Sequence, residues 1–353
     1  MGLGLIQANT LGGPRISVLL AVYNGVSYLP ALFDSLLAQQ YLPSEIVVCD
    51  DGSTDDSLFV ISAYQEKTSV PILIHRNAAN LGYRNNFWQG MRLCSGDYIA
   101  FCDQDDVWLE SKLEKIQCAI QAHNSPSMLF SDCTVVNAQL LPLNITGLAY
   151  SGISPERKQH LLEGRLFEVL LRHPCVTGMT MVCRRDVLMR LPQPNNDIPH
   201  DYLISTVLSA QCDYVFLDES LVLYRQHASN LIGMQAKKKV PVYRWGDPLK
   251  PDEWNLDMHS KLQLLHYVRS AQHVMEKENA AIALQLQQCI VFFEHRLARR
   301  FVLRALCRPR AVPVVLRQRN IVYRMWLKDC RVFVRILLNR ACCFFSGFKR
   351  ISR

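Results

Sequence analysis

The chain has 353 residues, 49% hydrophobic and 20% charged, a globular balance with enough length to bury a sizeable core in one large domain or two smaller ones. Its formal charge of +8 favours an anionic partner, whether a phosphorylated substrate, a membrane surface or nucleic acid, and charge alone does not choose among them. Thirteen cysteines lie scattered through apolar runs with no Cys-x-x-Cys pair, so neither a zinc site nor a disulfide framework is indicated and a reducing cytosol fits best.

Residues 1–14 are Gly-rich and lack a basic segment followed by an apolar run, so they read as a flexible leader rather than a secretory signal. Ile6 stands where a myristoylation signal after Gly2 requires Ser or Thr. No apolar run is long enough to predict a transmembrane helix. Ile16 to Val22 is a continuous aliphatic run, which predicts a strand buried on both faces of a parallel sheet, and it ends in the turn Tyr23-Asn24-Gly25. Apolar residues at helical spacing predict a helix over Tyr28 to Gln40. Glu45 to Cys49 is a second buried strand that runs into Asp50-Asp51-Gly52-Ser53-Thr54-Asp55, with Ser53 or Thr54 able to cap a helix from Ser57 to Gln65. Pro71 to His75, the turn Asn80-Leu81-Gly82 and a helix from Arg84 to Cys94 extend the pattern. Tyr98 to Cys102 is then the fourth strand of a strict alternation, and the fold class expected is α/β with a doubly wound, mainly parallel sheet.

That fourth strand delivers Asp103, Asp105 and Asp106. Three acids within four positions repel one another unless a cation or hydrogen-bond donors neutralise them, and oxygen ligands of this kind suit Mg²⁺ or Mn²⁺. An acidic loop capping the next helix is the plainer alternative. No Gly-x-Gly-x-x-Gly opens a helix after Val22, which argues against a dinucleotide-binding dehydrogenase. Met128 to Val136 predicts a further strand and Leu161 to Leu171 an amphipathic helix. The small residues Thr177, Gly178 and Thr180 would allow close approach of a sugar to backbone. Ile198-Pro199-His200-Asp201-Tyr202 enters a helix continuing to about Leu208. Short strands at Tyr214 to Leu217 and Leu221 to Tyr224 close on Tyr224-Arg225-Gln226-His227. Asn144-Ile145-Thr146 has the form of a glycosylation sequon, and chance accounts for it without a secretory signal.

The ordered set Val22-Tyr23-Asn24-Gly25, Asp50-Asp51-Gly52-Ser53-Thr54-Asp55, Asn80-Leu81-Gly82 and Asp103-Gln104-Asp105-Asp106-Val107-Trp108 resembles the nucleotide-sugar half of family-2 glycosyltransferases. His200-Asp201 before a helix, with Tyr224-Arg225-Gln226-His227 and then Asn230 and Gly233, is similar to the rhamnosyltransferase-like members. The resemblance covers about Ile16 to Gly233 and departs mildly at Tyr202 and Ala228, where the subgroup commonly has Trp and Gly. It implies a GT-A fold and an inverting single displacement. By resemblance Tyr23, Asn24, Asp50, Asp51, Gly82, Arg84, Asp103 and Arg225 bind the nucleotide sugar, with Asp51 preferred over Asp50 for the base and Asp103 for the ribose. Asp105 and Asp106 are the metal candidates, joined by His227. Asp201 is the preferred general base over His200; at a helix start, proximity must supply much of its catalysis.

The implied donor is dTDP-L-rhamnose, with a UDP-hexose or UDP-hexosamine as the alternative in the same class, and a catalytically dead glycan-binding or scaffold protein as the alternative in another. The implied acceptor is a glycan or lipid-linked glycan. The Gln-x-x-Arg-Trp element of processive synthases is absent around Arg244-Trp245, which favours single-residue transfer. These motifs set a catalytic domain at 15–235, split into 15–125 for the nucleotide sugar and 126–235 for the acceptor, then a linker at 236–260. Residues 261–353 read as a helical extension, basic and interleaved with aromatics after Phe292. This predicts peripheral contact with the anionic inner face of a cytoplasmic membrane, the alternative being a solvated face packed on the catalytic domain. No groove-reading motif supports nucleic acid.

Overall fold

The computed structural model describes residues 12–171, 173–194, 198–228, 230, 262–271 and 290. They lie within one compact unit, residues 1–291. The first eleven residues of the leader, Gly233, the linker at 236–260 and the basic stretch beyond 290 lie outside the described residues.

The expected alternation is present: β1 (Ile16–Val22), α1 (Leu29–Leu37), β2 (Glu45–Asp50), α2 (Ser57–Gln65), β3 (Ile72–Arg76), α3 (Tyr83–Gly90) and β4 (Tyr98–Asp103). After it come β5 (Val107–Trp108), α4 (Lys112–Ala122), β6 (Met128–Val136), β7 (Pro142–Thr146), α5 (Gly147–Tyr150), α6 (Pro155–Leu162) and α7 (Leu166–Leu170). A 3-10 turn (Gly178–Thr180), β8 (Met181–Arg184), α8 (Arg185–Arg190), α9 (His200–Gln211) and β9 (Tyr214–Arg225) follow. Residues 262–271 are also helical and dock on α9, where Gln211 Nε2 donates to Val268 O at 2.9 Å. No described helix is long and apolar enough to cross a membrane.

The nine strands form one sheet in the order β3-β2-β1-β4-β8-β6-β9-β5, with β7 paired to β6. Its first four strands are parallel, and β8 enters antiparallel between β4 and β6. β1 is buried along almost its whole length because helices cover both faces, which is why its sequence is continuously apolar rather than alternating. α1 buries Leu29, Leu32, Phe33 and Leu36, one stripe at three- and four-residue spacing, in the same core as Ile16, Val18, Leu20, Ile46 and Val48. Strand order turns back at β1, so the crevice beyond the carboxyl ends of β1 and β4 is the place where such a sheet takes ligands. Register makes those ends flush: Val22 pairs with Asp50 and Ala21 with Asp103.

Three local expectations change. The helix expected from Leu161 to Leu171 is two helices, because Gly164 at φ +80° ends α6, whose start is set by the Ser154 cap and the proline after it. Neither Ser53 nor Thr54 caps α2. Asp56 precedes the helix with no side-chain cap, and Ser53 Oγ is engaged by Asn24 N. The two short strands expected before Arg225 are one strand, β9, whose register against β6 shifts between Leu217 and Ser220.

Candidate active site

The turns after β1 and β2 interlock. Asn24, at φ +50°, accepts Thr54 N with its Oδ1 at 2.8 Å, and Ser57 Oγ and Asp55 Oδ2 take the N–H groups of Gly25 and Val26. Asp50 is fully buried and committed to this framework, accepting Ser53 N and pairing with Arg76 Nε at 3.4 Å. Asp51 behaves differently. Its Oδ1 accepts both Asn77 Nδ2 at 2.9 Å and Leu81 N at 2.8 Å, so it ties the second strand end to the Asn80-Leu81-Gly82 turn. Gly82 sits at φ +76° at the start of α3, a conformation that favours glycine, and Tyr83, which follows it, meets His200 edge-on. Tyr23 is 48% exposed above these groups, as a ring waiting to stack would be.

The acidic loop separates neighbours in sequence into different roles. Burial, then repulsion from Asp105 and Asp201, pushes the Asp103 carboxyl up to about 8, with Lys112 opposing. Asp106 is fully buried; its Oδ1 accepts Arg225 N at 3.0 Å, and Oδ2 has no hydrogen-bond partner among the described residues. Burial and the two neighbouring acids hold its carboxyl well above the usual range. Asp105 instead meets the chain beyond β9: its Oδ2 lies 2.9 Å from His227 Nε2 and 3.0 Å from Asn230 Nδ2. The expected trio of Asp105, Asp106 and His227 is therefore not assembled as three ligands, and no group of three or more His, Cys, Asp or Glu among the described residues is arranged to hold a metal. Asp105 and His227, one carboxylate beside one imidazole, are the pair that would hold a divalent ion here, with substrate oxygens needed to complete it.

Arg225 lies over the Tyr28 ring at 5.2 Å, and Tyr28 stacks on His227 with ring centroids 4.3 Å apart. Its guanidinium reaches Ala138 O through Nη1 at 3.4 Å, while Nε and Nη2 are buried without partners among the described residues. Unsatisfied buried donors of this kind are costly unless a ligand completes them.

Asp201 occupies the first turn of α9, where a carboxylate suits the helix dipole. Its Oδ2 accepts Gly178 N at 3.1 Å and its Oδ1 accepts Tyr202 N at 2.7 Å. His200 is enclosed instead: it stacks on Phe87 at 4.1 Å, leans on Phe101 and meets Tyr83 edge-on. Burial lowers its pKa against the pull of Asp201, and neither ring nitrogen has a partner among the described residues. A Cβ on Gly178 would lie 3.2 Å from His200 Nε2 and 3.9 Å from Asp103 Oδ2, so this glycine stands between the end of β4 and the start of α9.

Sequence reasoning missed Tyr28, Tyr83, Gln104 and Lys112. Lys112 looks like an exposed position of an amphipathic helix, yet it is fully buried, its Nζ donating to Met179 O at 2.6 Å and sitting 3.3 Å above the Trp108 ring. The one available signal for Gln104 was its place inside the acidic loop.

Residues 17–190 match the profile of Glycosyl transferase family 2. An uncharacterised glycosyltransferase of Nostoc sp. is 41% identical over 105 residues, 29% of this chain and 31% of that protein. The Escherichia coli UDP-Glc:alpha-D-GlcNAc-diphosphoundecaprenol beta-1,3-glucosyltransferase WfgD is 30% identical over 123 residues, 35% of this chain and 47% of that protein. The chain thus spans less than half the length of either relative. The crystal structure of S. aureus TarS 1-349 in complex with UDP has a TM-score of 0.52 at 18% identity, covering 80% of this chain and 71% of that one, and shares the GT-A fold. Profile, relatives and fold agree with the strand-end motifs: residues 17–190 belong to glycosyl transferase family 2.

Proposed function

We propose that this enzyme transfers one sugar, with inversion, from a nucleoside-diphosphate sugar to a hydroxyl of a lipid-linked glycan. The observation that carries the reading is the meeting of both halves at Gly178, with Asp201 bonded to its N–H and Asp103 facing its Cα from the donor side. In this reading Tyr23 stacks on the base and Asp51 accepts its ring N–H, while Asp50 holds the turn. Asn24, Gly82 and Arg84 shape the rest of the nucleotide site, and Asp103 takes the ribose. Asp105 and His227 would hold Mg²⁺ or Mn²⁺, which when bound lowers the basicity of the departing diphosphate. Asp106 braces β9 against the acidic loop rather than ligating. Arg225, with two buried guanidinium nitrogens unspent, neutralises phosphate charge. Asp201 removes the acceptor proton as the hydroxyl attacks the anomeric carbon, and His200 forms a neutral wall beside it.

For the donor, the Asp-Gln-Asp-Asp-Val-Trp and Tyr-Arg-Gln-His motifs support dTDP-L-rhamnose. The name of the E. coli relative supports a second reading, a UDP-hexose, and also supports an undecaprenyl-diphosphate-linked acceptor. Such an acceptor places the enzyme at the cytoplasmic face of the membrane, with the basic, aromatic-interleaved stretch after Phe292 as the surface contact. Purified protein incubated with a panel of dTDP- and UDP-sugars and Mn²⁺ should turn over dTDP-L-rhamnose, and preference for a UDP-hexose would select the second reading. Chelation should suppress the reaction and added Mn²⁺ or Mg²⁺ restore it. Turnover that survives thorough chelation would remove the ion, and with it the roles of Asp105 and His227.

A further inference from the structure

Four consecutive backbone N–H groups follow β1, and each is taken by a side chain distant in sequence. Asn24 N donates to Ser53 Oγ at 2.9 Å, Gly25 N to Ser57 Oγ at 2.9 Å and Val26 N to Asp55 Oδ2 at 3.1 Å, all from the turn after β2 or the first residue of α2. Tyr23 N is the exception, donating to Gln104 Oε1 in the acidic loop at 2.8 Å. Gln104 also returns a bond, its Nε2 donating to Tyr23 O at 3.0 Å. A carboxamide places one donor beside one acceptor, so it can satisfy both polar groups of a single residue as a neighbouring strand would.

Gly25 leaves the room this needs. A Cβ there would lie 2.4 Å from Gln104 Oε1 and 2.8 Å from its Cδ, and its three nearest neighbours are all Gln104 side-chain atoms. The backbone at Gly25 is not in the left-handed region, so the carboxamide, not the chain's conformation, is what requires a glycine.

We propose that Gln104 is a positioning residue. It fixes the Tyr23 platform to the loop bearing Asp103 and Asp105, so that the base-binding and diphosphate-binding parts of the site are held at one spacing. The proposal rests on the reading of this crevice as a nucleoside-diphosphate site.

The test is calorimetric titration of UDP and of dTDP, with Mn²⁺ present, into wild type, Gln104→Ala, Gly25→Ala and the double variant, with thermal melting of all four. Each single substitution should weaken nucleotide binding about 10-fold, the loss expected from one or two hydrogen bonds. The double variant should be no weaker than either single one, because Gly25→Ala acts by evicting the carboxamide that Gln104→Ala removes. Turnover at saturating donor should fall less than about threefold, since the base and acceptor geometry are untouched. Gln104→Glu, which keeps an acceptor for Tyr23 N and loses the donor to Tyr23 O, should bind more weakly than wild type. If wild type binds neither nucleotide, the donor-site reading itself fails. If wild type binds and Gln104→Ala binds within about twofold of it, or if the two single effects multiply, the coupling is absent and the proposal is overturned. Loss of melting temperature and turnover together with unchanged nucleotide affinity would likewise reduce Gln104 to a structural part.

Discussion

Asp201→Asn should lower turnover by about a thousandfold while leaving nucleotide affinity within about twofold, a general base being worth this order of rate. The carboxylate stands beside Gly178, with Oδ2 on Gly178 N and Oδ1 on Tyr202 N. Asn offers one acceptor where Asp offers two, so one of these backbone bonds is lost, at a cost of about 1 kcal/mol. That cost falls on α9 and the 178–180 turn, not on Tyr23 or Asp51, and a thermal melt reads it separately. The kinetic signature is therefore a fall in kcat with the donor KM preserved, the pattern of a group that acts only in the transition state. Full turnover by Asp201→Asn would refute the assignment. His200 would then be the group to examine, because both its ring nitrogens are without partners among the described residues and it borders the same glycine.

The first four βα units were legible because their signals are local. A parallel βα unit writes a buried strand as an unbroken aliphatic run, and each strand here ends in turn residues, the place where such a sheet takes ligands. Ile16 to Val22 and the Asp50 and Asp103 clusters were readable as strand ends without knowing which strands are neighbours. What pairs across the sheet was not readable. Tyr28 and His227 stack although most of the catalytic domain lies between them in sequence. Asp105 and Asp106 are adjacent and chemically identical, yet one faces His227 and the other turns inward to Arg225 N. That difference is a matter of backbone direction in a two-residue span, and composition carries no trace of it. Hydrophobic periodicity carries no signal for Lys112 for a related reason: it assumes that a charged position faces water. Here a carbonyl and an indole face supply what water would have supplied.

Lys112→Met is the second substitution with a large expected effect, and it separates stability from function. Nζ donates to Met179 O, inside the turn whose Gly178 N–H holds Asp201, so this side chain anchors that turn. Methionine conserves the volume and removes the donor. Turnover should fall by about 10- to 100-fold as that turn loosens, a displacement of an ångström being enough for such a loss. Stability should follow a different course. Burial lowers the Lys112 pKa from 10.5 to about 7 against the pull of Cys102, Asp106 and Cys133. Between those two values the unfolded chain binds a proton at this position that the folded chain has released, so folding is favoured as pH rises through the window. The wild type should therefore gain on Lys112→Met by up to about 1.4 kcal/mol per pH unit from pH 7 towards 10. At pH 7 itself the two should lie within about 2 kcal/mol, since an apolar side chain of similar volume commonly replaces a buried charge at little net cost. Urea unfolding of both proteins at pH 7, 8 and 9 measures the gap. A gap that stays flat would mean that Lys112 remains protonated across the range, and unchanged turnover would mean that Met179 O needs no anchor to keep Asp201 in place.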